Sequence, residues 1–320
     1  MRFLFFLLVT LYGGWFPLPI QAQAVRNQTP RVTKHHLLAG SSKRVFYQLP
    51  AATSEPHGLL VLLPGRGEKA RTVFQATHLP GKAAQRGFLV VVVDLHEQVY
   101  LGSLETRVLD EVIRTVVQQH PTLAQRLMLG GFSAGGQLAF AYAETLLRDS
   151  TQRPWRVRAL LGVDPPLDLA RHWQRAQRHV EQRDCPALLP GDQRIVAELT
   201  QTFGGTPRQV PAVYHARSAY TRSDSTGGNA SYLRALPVRL YCEPDLAFWQ
   251  QRYCAALQAS DFNAPDAKSL ILRLQKLGNR QAQYIQTTGK GYVGKHRMPH
   301  AWSIVEASEC AAWLEQAITQ

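Results

Sequence analysis

Sulfur is scarce in this chain, with three methionines and four cysteines in 320 residues. Cys185, Cys242, Cys254 and Cys310 stand far apart, and no C-x-x-C pair occurs. That spacing argues against zinc ribbons and dithiol redox motifs, which need two thiols close together. Carboxylates are also few: 23 Asp and Glu stand against 36 Lys and Arg, a formal charge of +13. The basic residues are scattered, without a run of five or six. No recognisable nucleic-acid module accompanies them, so nucleic acid is not an expected partner. The charge reads instead as solubility and attraction to anionic surfaces or substrates. There is no internal repeat, which excludes a solenoid. After residue 24 no apolar run reaches the roughly 20 residues that a spanning helix needs.

What is present begins with a leader-like segment, MRFLFFLLVTLYGGWFPLPIQAQA. Arg2 supplies the positive n-region, Phe3 to Leu11 an apolar h-region, and Ala22-Gln23-Ala24 an A-x-A cleavage site. This pattern predicts a secretory signal peptide over 1–24, cut after Ala24, and a secreted or periplasmic product. Gly13, Gly14, Pro17 and Pro19 interrupt the apolar run and count against a retained anchor. Secretion permits disulfides. Four cysteines allow three full pairings, and spacing does not choose among them.

The body of the chain alternates two kinds of segment. Apolar runs at Gly58–Leu63, Gly87–Asp94, Arg126–Gly130, Val157–Val163, Val238–Cys242 and Ala282–Thr287 suit strands buried on both faces, and Arg44–Gln48 is a further candidate. Between them lie helical patterns. Ser103–Gln119 places Leu104, Val108, Val112 and Val116 on one face, with Ser103 as its expected cap. Thr72–Arg86 is helical with an expected break at Pro80-Gly81, Gln137–Arg148 is rich in strong helix formers, and Trp302–Ile318 is amphipathic. Alternation of this kind predicts a mostly parallel sheet with helices on both faces, and ligands at the carboxyl ends of its strands.

One such end reads Gly130-Gly131-Phe132-Ser133-Ala134-Gly135-Gly136. G-x-S-x-G alone says little, since glycine and serine are common. Here it joins an apolar strand to an alanine-rich helix, the setting of a nucleophile elbow. Gly131 and Gly135 leave space for a sharp turn, and the helix N-terminus behind Ser133 favours developing negative charge.

With LLPGRG, GGFSAGG, YCEPD and HRMPHAW, the chain resembles the α/β-hydrolase superfamily, and within it the secreted esterase and acyl-hydrolase-like members. The resemblance implies an α/β-hydrolase fold: an eight-stranded, mostly parallel central sheet with helices on both faces and a cap insertion. It also implies a Ser–acid–His triad in that chain order. Ser133 is then the nucleophile. The acid is expected after the second strand beyond the elbow, in Tyr241-Cys242-Glu243-Pro244-Asp245; Asp245 is preferred there, with Glu243 as the alternative. Asp164, at the end of the preceding strand, is a third acid and otherwise a turn former or pocket residue. His300 is the expected base, leaving His296 as a loop or pocket residue. The oxyanion hole is expected from the backbone N–H groups of Ala134 and Arg66. Pro64 stands where the family commonly has histidine, a departure at the oxyanion loop.

The expected cap insertion spans about 165–237, within a hydrolase domain over 25–320. It carries nine arginines against six carboxylates, a net charge of +3. Leu167–Arg183, with Arg171, Arg175 and Arg178, and Ile195–Phe203 are expected helices, and the segment from Gly204 to Asn229 is expected to be irregular. Trp173, Tyr214 and Tyr220 are read as cap core or pocket lining. The expected function is cleavage of a carboxylic ester or related acyl bond in a small-molecule or polymer-derived substrate, without cofactor. A serine peptidase on the same scaffold and a non-catalytic binding protein are the alternatives. His296 and His300 are four apart, but in a Gly- and Pro-containing loop rather than a regular helix, and His35-His36 are adjacent; neither pair predicts a metal site.

Overall fold

Strands whose every side chain is apolar must be covered on both faces, and three stretches of the chain have this property. They are β3 (Gly58–Leu63), β4 (Phe88–Val93) and, apart from its glycines, β5 (Leu127–Phe132). In the computed structural model, which describes residues 31–39, 42–95, 98–149 and 151–319, these strands form the middle of one sheet. The leader expected over 1–24 lies outside the described residues. The remaining strands are β1 (Thr33–Ala39), β2 (Ser42–Leu49), β6 (Val157–Val163), β7 (Val238–Cys242) and β8 (Ala282–Gln286). Their spatial order is β1-β2-β4-β3-β5-β6-β7-β8. The first two pairings are antiparallel and the other five are parallel.

The helices divide between the faces as the strand side chains alternate. Leu59, Val61 and Leu63 pack with α3 (Ser103–Gln119), α4 (Ala134–Arg148) and α9 (Ala264–Lys276). Leu60 and Leu62 point the other way, toward α1 (Val73–Ala76), α2 (Leu79–Gln85) and α10 (Ala307–Thr319). Each fully buried Leu or Val contributes about 1.5–3 kcal/mol relative to exposure, so the period-two alternation determines which helix sits on which face. Between β6 and β7 the chain inserts α5 (Leu169–Gln182), α6 (Leu189–Phe203) and α7 (Pro211–Arg217). Helix α8 (Leu246–Arg252) follows β7 directly. A two-residue hairpin, β9 (Tyr292–Val293) with β10 (His296–Arg297), precedes the last helix.

Several local expectations are corrected. Strand β1 is an edge strand with mostly exposed side chains, so it lacks an apolar run, and it pairs with β2 throughout. The expected helix over 72–86 breaks at Thr77-His78, not at Pro80-Gly81. Pro80 sits in the first turn of α2, where its missing N–H costs nothing. Helix α3 is capped from Gly102, whose N–H donates to the Glu105 carboxylate at 3.1 Å; Ser103 is its first residue. The segment after Gly204 contains α7, and α8 and α9 were not anticipated. Cys185 and Cys254 form a disulfide that ties the β6–β7 insertion to the chain after α8, while Cys242 and Cys310 are buried thiols. Trp173 donates to Thr200 Oγ1 at 2.8 Å, and Tyr214 and Tyr220 are buried, so these three are packing residues of the insertion.

Candidate active site

Ser133 lies at the junction of β5 and α4 with φ 50° and ψ −124°. A non-glycine residue there is strained by about 1–3 kcal/mol and persists only where its surroundings hold it. The surroundings do so through the backbone. The Ser133 N–H donates to Val163 O at 2.8 Å, and its carbonyl accepts the Gly136 and Gln137 amides at 2.9 and 3.2 Å. A Cβ on Gly131 would come 2.3 Å from Gly135, and one on Gly135 would come 2.3 Å from the carbonyl oxygens of Leu63 and Pro64. The glycines therefore allow the turn to close and the Pro64-Gly65-Arg66 loop to press against it.

His300 approaches from the loop between the hairpin and α10. Its Nε2 is 3.0 Å from Ser133 Oγ, and its Nδ1 is 2.6 Å from Asp164 Oδ2. Phe132 packs against the imidazole with ring centroids 4.6 Å apart, and Trp302 packs on Phe132 in turn. Asp164 stands at the tip of β6 with φ 48°. Its N–H donates to Tyr241 O at 2.8 Å, and its carbonyl accepts Asn263 Nδ2 at 2.9 Å. Burial pushes the Cys242 thiol well above its ordinary range, and Asp164 adds to the rise by its charge and by accepting a hydrogen bond. The thiol thus stays protonated beside the carboxylate.

Asp245, the preferred acid, is not brought to His300. It is the N-cap of α8: Oδ1 accepts the Phe248 N–H at 3.0 Å, and Oδ2 accepts Arg297 Nη2 at 2.8 Å. The physical reason is the strand order. β6 is hydrogen-bonded to β5, so its tip adjoins the elbow, whereas β7 lies one strand farther away. Glu243, the alternative, does not contact His300 either. Its buried carboxylate accepts Thr287 Oγ1 and the Lys290 N–H at 2.9 Å each and the Gly291 N–H at 3.3 Å, and pairs with Arg297. Glu243 and Asp245 thus hold the segment that leads to His300. His296 lies in the hairpin, exposed.

Of the amides expected to line an oxyanion hole, that of Ala134 follows Ser133 in the chain, and that of Arg66 follows Gly65, where an added Cβ would lie 3.6 Å from Ser133 Cβ. The Arg66 N–H finds no acceptor among the described residues, and the Ala134 N–H opens the first turn of α4, where helix amides lack intrahelical partners. The loop is braced by Glu68, whose Oε2 accepts the Gly65 N–H and Trp302 Nε1 at 2.9 Å each. Arg66 extends its side chain to pair with Glu198 on α6.

A cavity of about 320 Å³ opens beside Asp164 and His300. One wall is aromatic: Trp249 stacks on Tyr253 with centroids 5.4 Å apart, and Phe262 lies 6.3 Å from Trp249. The sequence reading did not single these out, although Phe248-Trp249 directly after a strand end was a visible signal. The lining also includes His172 and Arg175 from α5. Burial, then the charges of Arg175, Arg66 and His300, press the His172 pKa down to about 3. It is therefore neutral across the ordinary pH range. No cluster of His, Cys, Asp and Glu suited to a metal occurs among the described residues, and no described helix is long and apolar enough to cross a membrane.

Solved structures share this architecture. Carboxyl esterase 2 from the mycorrhizal fungus Tuber melanosporum is 16% identical, with a TM-score of 0.56 over 95% of this chain and 91% of that one. An esterase of Pyrobaculum calidifontis is 15% identical, with a TM-score of 0.53 over 89% and 85%. An S-formylglutathione hydrolase from Agrobacterium tumefaciens is 12% identical, with a TM-score of 0.52 over 90% and 94%. At these identities the likeness establishes the fold: the chain has the α/β-hydrolase fold. No protein-family model matches the chain, and no curated protein matches it.

Proposed function

We propose that this chain is a serine hydrolase that cleaves carboxylic esters through an acyl-enzyme. The observation that carries the reading is the single imidazole spanning Ser133 Oγ and the Asp164 carboxylate at 3.0 and 2.6 Å. In this mechanism His300 Nε2 takes the Ser133 proton as Oγ bonds to the ester carbon. The carbonyl oxygen becomes an oxyanion facing the Arg66 and Ala134 amides, each such donor being worth about 3 kcal/mol. The imidazolium then returns its proton to the departing alcohol oxygen, leaving Ser133 acylated. A water molecule, deprotonated by the same nitrogen, attacks the acyl-enzyme and releases the acid. Asp164 holds the Nδ1 proton in place and stabilises the imidazolium without itself becoming protonated. No cofactor enters these steps. The esterase descriptions of the solved structures support the ester as substrate.

The test is labelling of the purified protein with a fluorophosphonate, beside Ser133→Ala and His300→Ala. Labelling of the wild type that is lost in both variants is the expected result. Labelling that survives Ser133→Ala would refute the assignment of the nucleophile. We further propose that residues 1–24 direct the chain across a membrane and are removed. The Cys185–Cys254 disulfide supports an oxidising destination.

A further inference from the structure

Each carboxylate that lines the cavity has a side-chain partner of its own, whereas one guanidinium there has no carboxylate partner among the described residues. Four carboxylates line it: Asp164, Asp192, Glu243 and Asp261. Asp164 meets His300, Asp192 meets His179 at 2.9 Å, Glu243 meets Arg297, and Asp261 pairs with Arg178. Other cations near the site are also paired, Arg171 and Arg222 of the insertion with Asp266, and Arg66 of the loop after β3 with Glu198. Arg175 also lines the cavity, and no carboxylate pairs with it among the described residues.

What holds Arg175 is neutral. Its Nη1 donates to Phe262 O, and its Nη2 donates to Asn263 Oδ1 and to His172 Nδ1, both at 3.0 Å. An arginine only donates, so His172 Nδ1 is the bare nitrogen and the imidazole proton sits on Nε2. These contacts fix the guanidinium plane but supply no negative charge. Asp266, Asp261 and Asp164 act on it from farther off, while Arg171 opposes them. The Arg175 Nε–H has no acceptor among the described residues. Partly buried, unpaired guanidinium charge is costly unless an anion completes it, and the planar fork suits a carboxylate.

Resting on the ester-hydrolase reading above, we propose that the cavity takes esters that carry a free carboxylate, seated on Arg175. Apolar parts of the substrate then lie against Trp249, Tyr253 and Phe262. Arg175 is a specificity residue on this account, and takes no part in bond making. The carboxylate can belong to the acyl half, as in a monoester of a dicarboxylic acid, or to the alcohol half.

Two matched pairs of esters test this. For the acyl half, 4-nitrophenyl hydrogen glutarate is compared with 4-nitrophenyl valerate. For the alcohol half, 4-acetoxybenzoate is compared with 4-acetoxybenzamide. The quantity read is the charged-to-neutral ratio of kcat/KM in the wild type, Arg175→Met and Arg175→Lys. In one pair the wild-type ratio is expected to fall about tenfold to a hundredfold in Arg175→Met, the scale of one charge-assisted hydrogen bond, and less in Arg175→Lys. The pair that responds identifies the half bearing the carboxylate. If Arg175→Met lowers both members of each pair equally, Arg175 merely braces Phe262 and Asn263 and the proposal is overturned. If that variant does not fold, the wild type decides: a preference for a charged ester that weakens in Arg175→Lys and in high salt upholds the proposal, and no preference overturns it. Cleavage of the neutral esters without any charge preference sinks this inference and leaves the hydrolase reading intact. Failure to cleave any ester, together with no fluorophosphonate labelling, sinks both.

Discussion

Replacing Asp164 with asparagine separates two carboxylates that the chain places in similar positions, each just past a strand end. Asparagine keeps the shape of the side chain and removes its charge. The Asp164 carboxylate touches His300 Nδ1 at 2.6 Å, with side-chain exposures of 14% and 33% for the acid and the imidazole. Taking a charge separation of about 4 Å and an effective dielectric of about 20, the carboxylate stabilises the imidazolium by about 4 kcal/mol. At about 1.4 kcal/mol per tenfold, that is a loss of about 10³-fold in kcat. An amide that donates to Nδ1 would also select the wrong tautomer, which adds to the loss. Asp245→Asn removes an N-cap and a partner of Arg297, so it is expected to cost about 1 kcal/mol of stability and only a few-fold in rate. The assay is steady-state hydrolysis of a 4-nitrophenyl ester at pH 7.5, with thermal melts to show that both variants are folded. A folded Asp164→Asn enzyme with near wild-type kcat, or an Asp245→Asn enzyme that loses as much, would refute the reasoning.

Glu144 on α4 is buried without a partner for Oε1, and burial raises its pKa well above the ordinary carboxylate value. The folded state therefore keeps a proton that the unfolded chain releases above about pH 4.5, so this group's contribution to stability falls as pH rises above that value. Glu144→Gln is expected to flatten that slope, by up to about 1.4 kcal/mol per pH unit where it is steepest. Denaturant melts at several pH values read it, and an unchanged slope would contradict the assignment. The Cys185–Cys254 bridge closes a loop with a sequence separation of 69. The chain-entropy model assigns such a loop about 4 kcal/mol. A Cys185→Ser, Cys254→Ser protein should show that loss by denaturant titration, and equal stability would mean the insertion is held by packing alone.

The central sheet was legible because fully buried strands must be apolar throughout, and Gly58–Leu63 and Phe88–Val93 carry that signature without ambiguity. Strand β1 was illegible for the converse reason, since an edge strand owes its place to pairing with β2 and needs no apolar run. Ser133 stood out from its local context and His300 through the resemblance, and the structure brings the two side chains together. Asp164, the carboxylate that meets His300, was only the third candidate, because that contact depends on which strand lies beside β5 and on where the histidine loop crosses, and neither is a local property. Arg175 was visible only as one of three arginines on a helix. What sets it apart is that no carboxylate pairs with it among the described residues, a fact of three-dimensional pairing.

The Ser133 N–H bond to Val163 O has a consequence for how such a protein would age or fail on heating. Ser133 and Asp164 are the tips of two adjacent strands, joined main chain to main chain, and their separation is as rigid as the sheet register itself. His300 arrives alone, on a loop fastened by Glu243, Arg297 and Trp302. Gentle warming should therefore displace His300 before Ser133: a population with its sheet intact and its serine still on the elbow, until the loop returns on cooling.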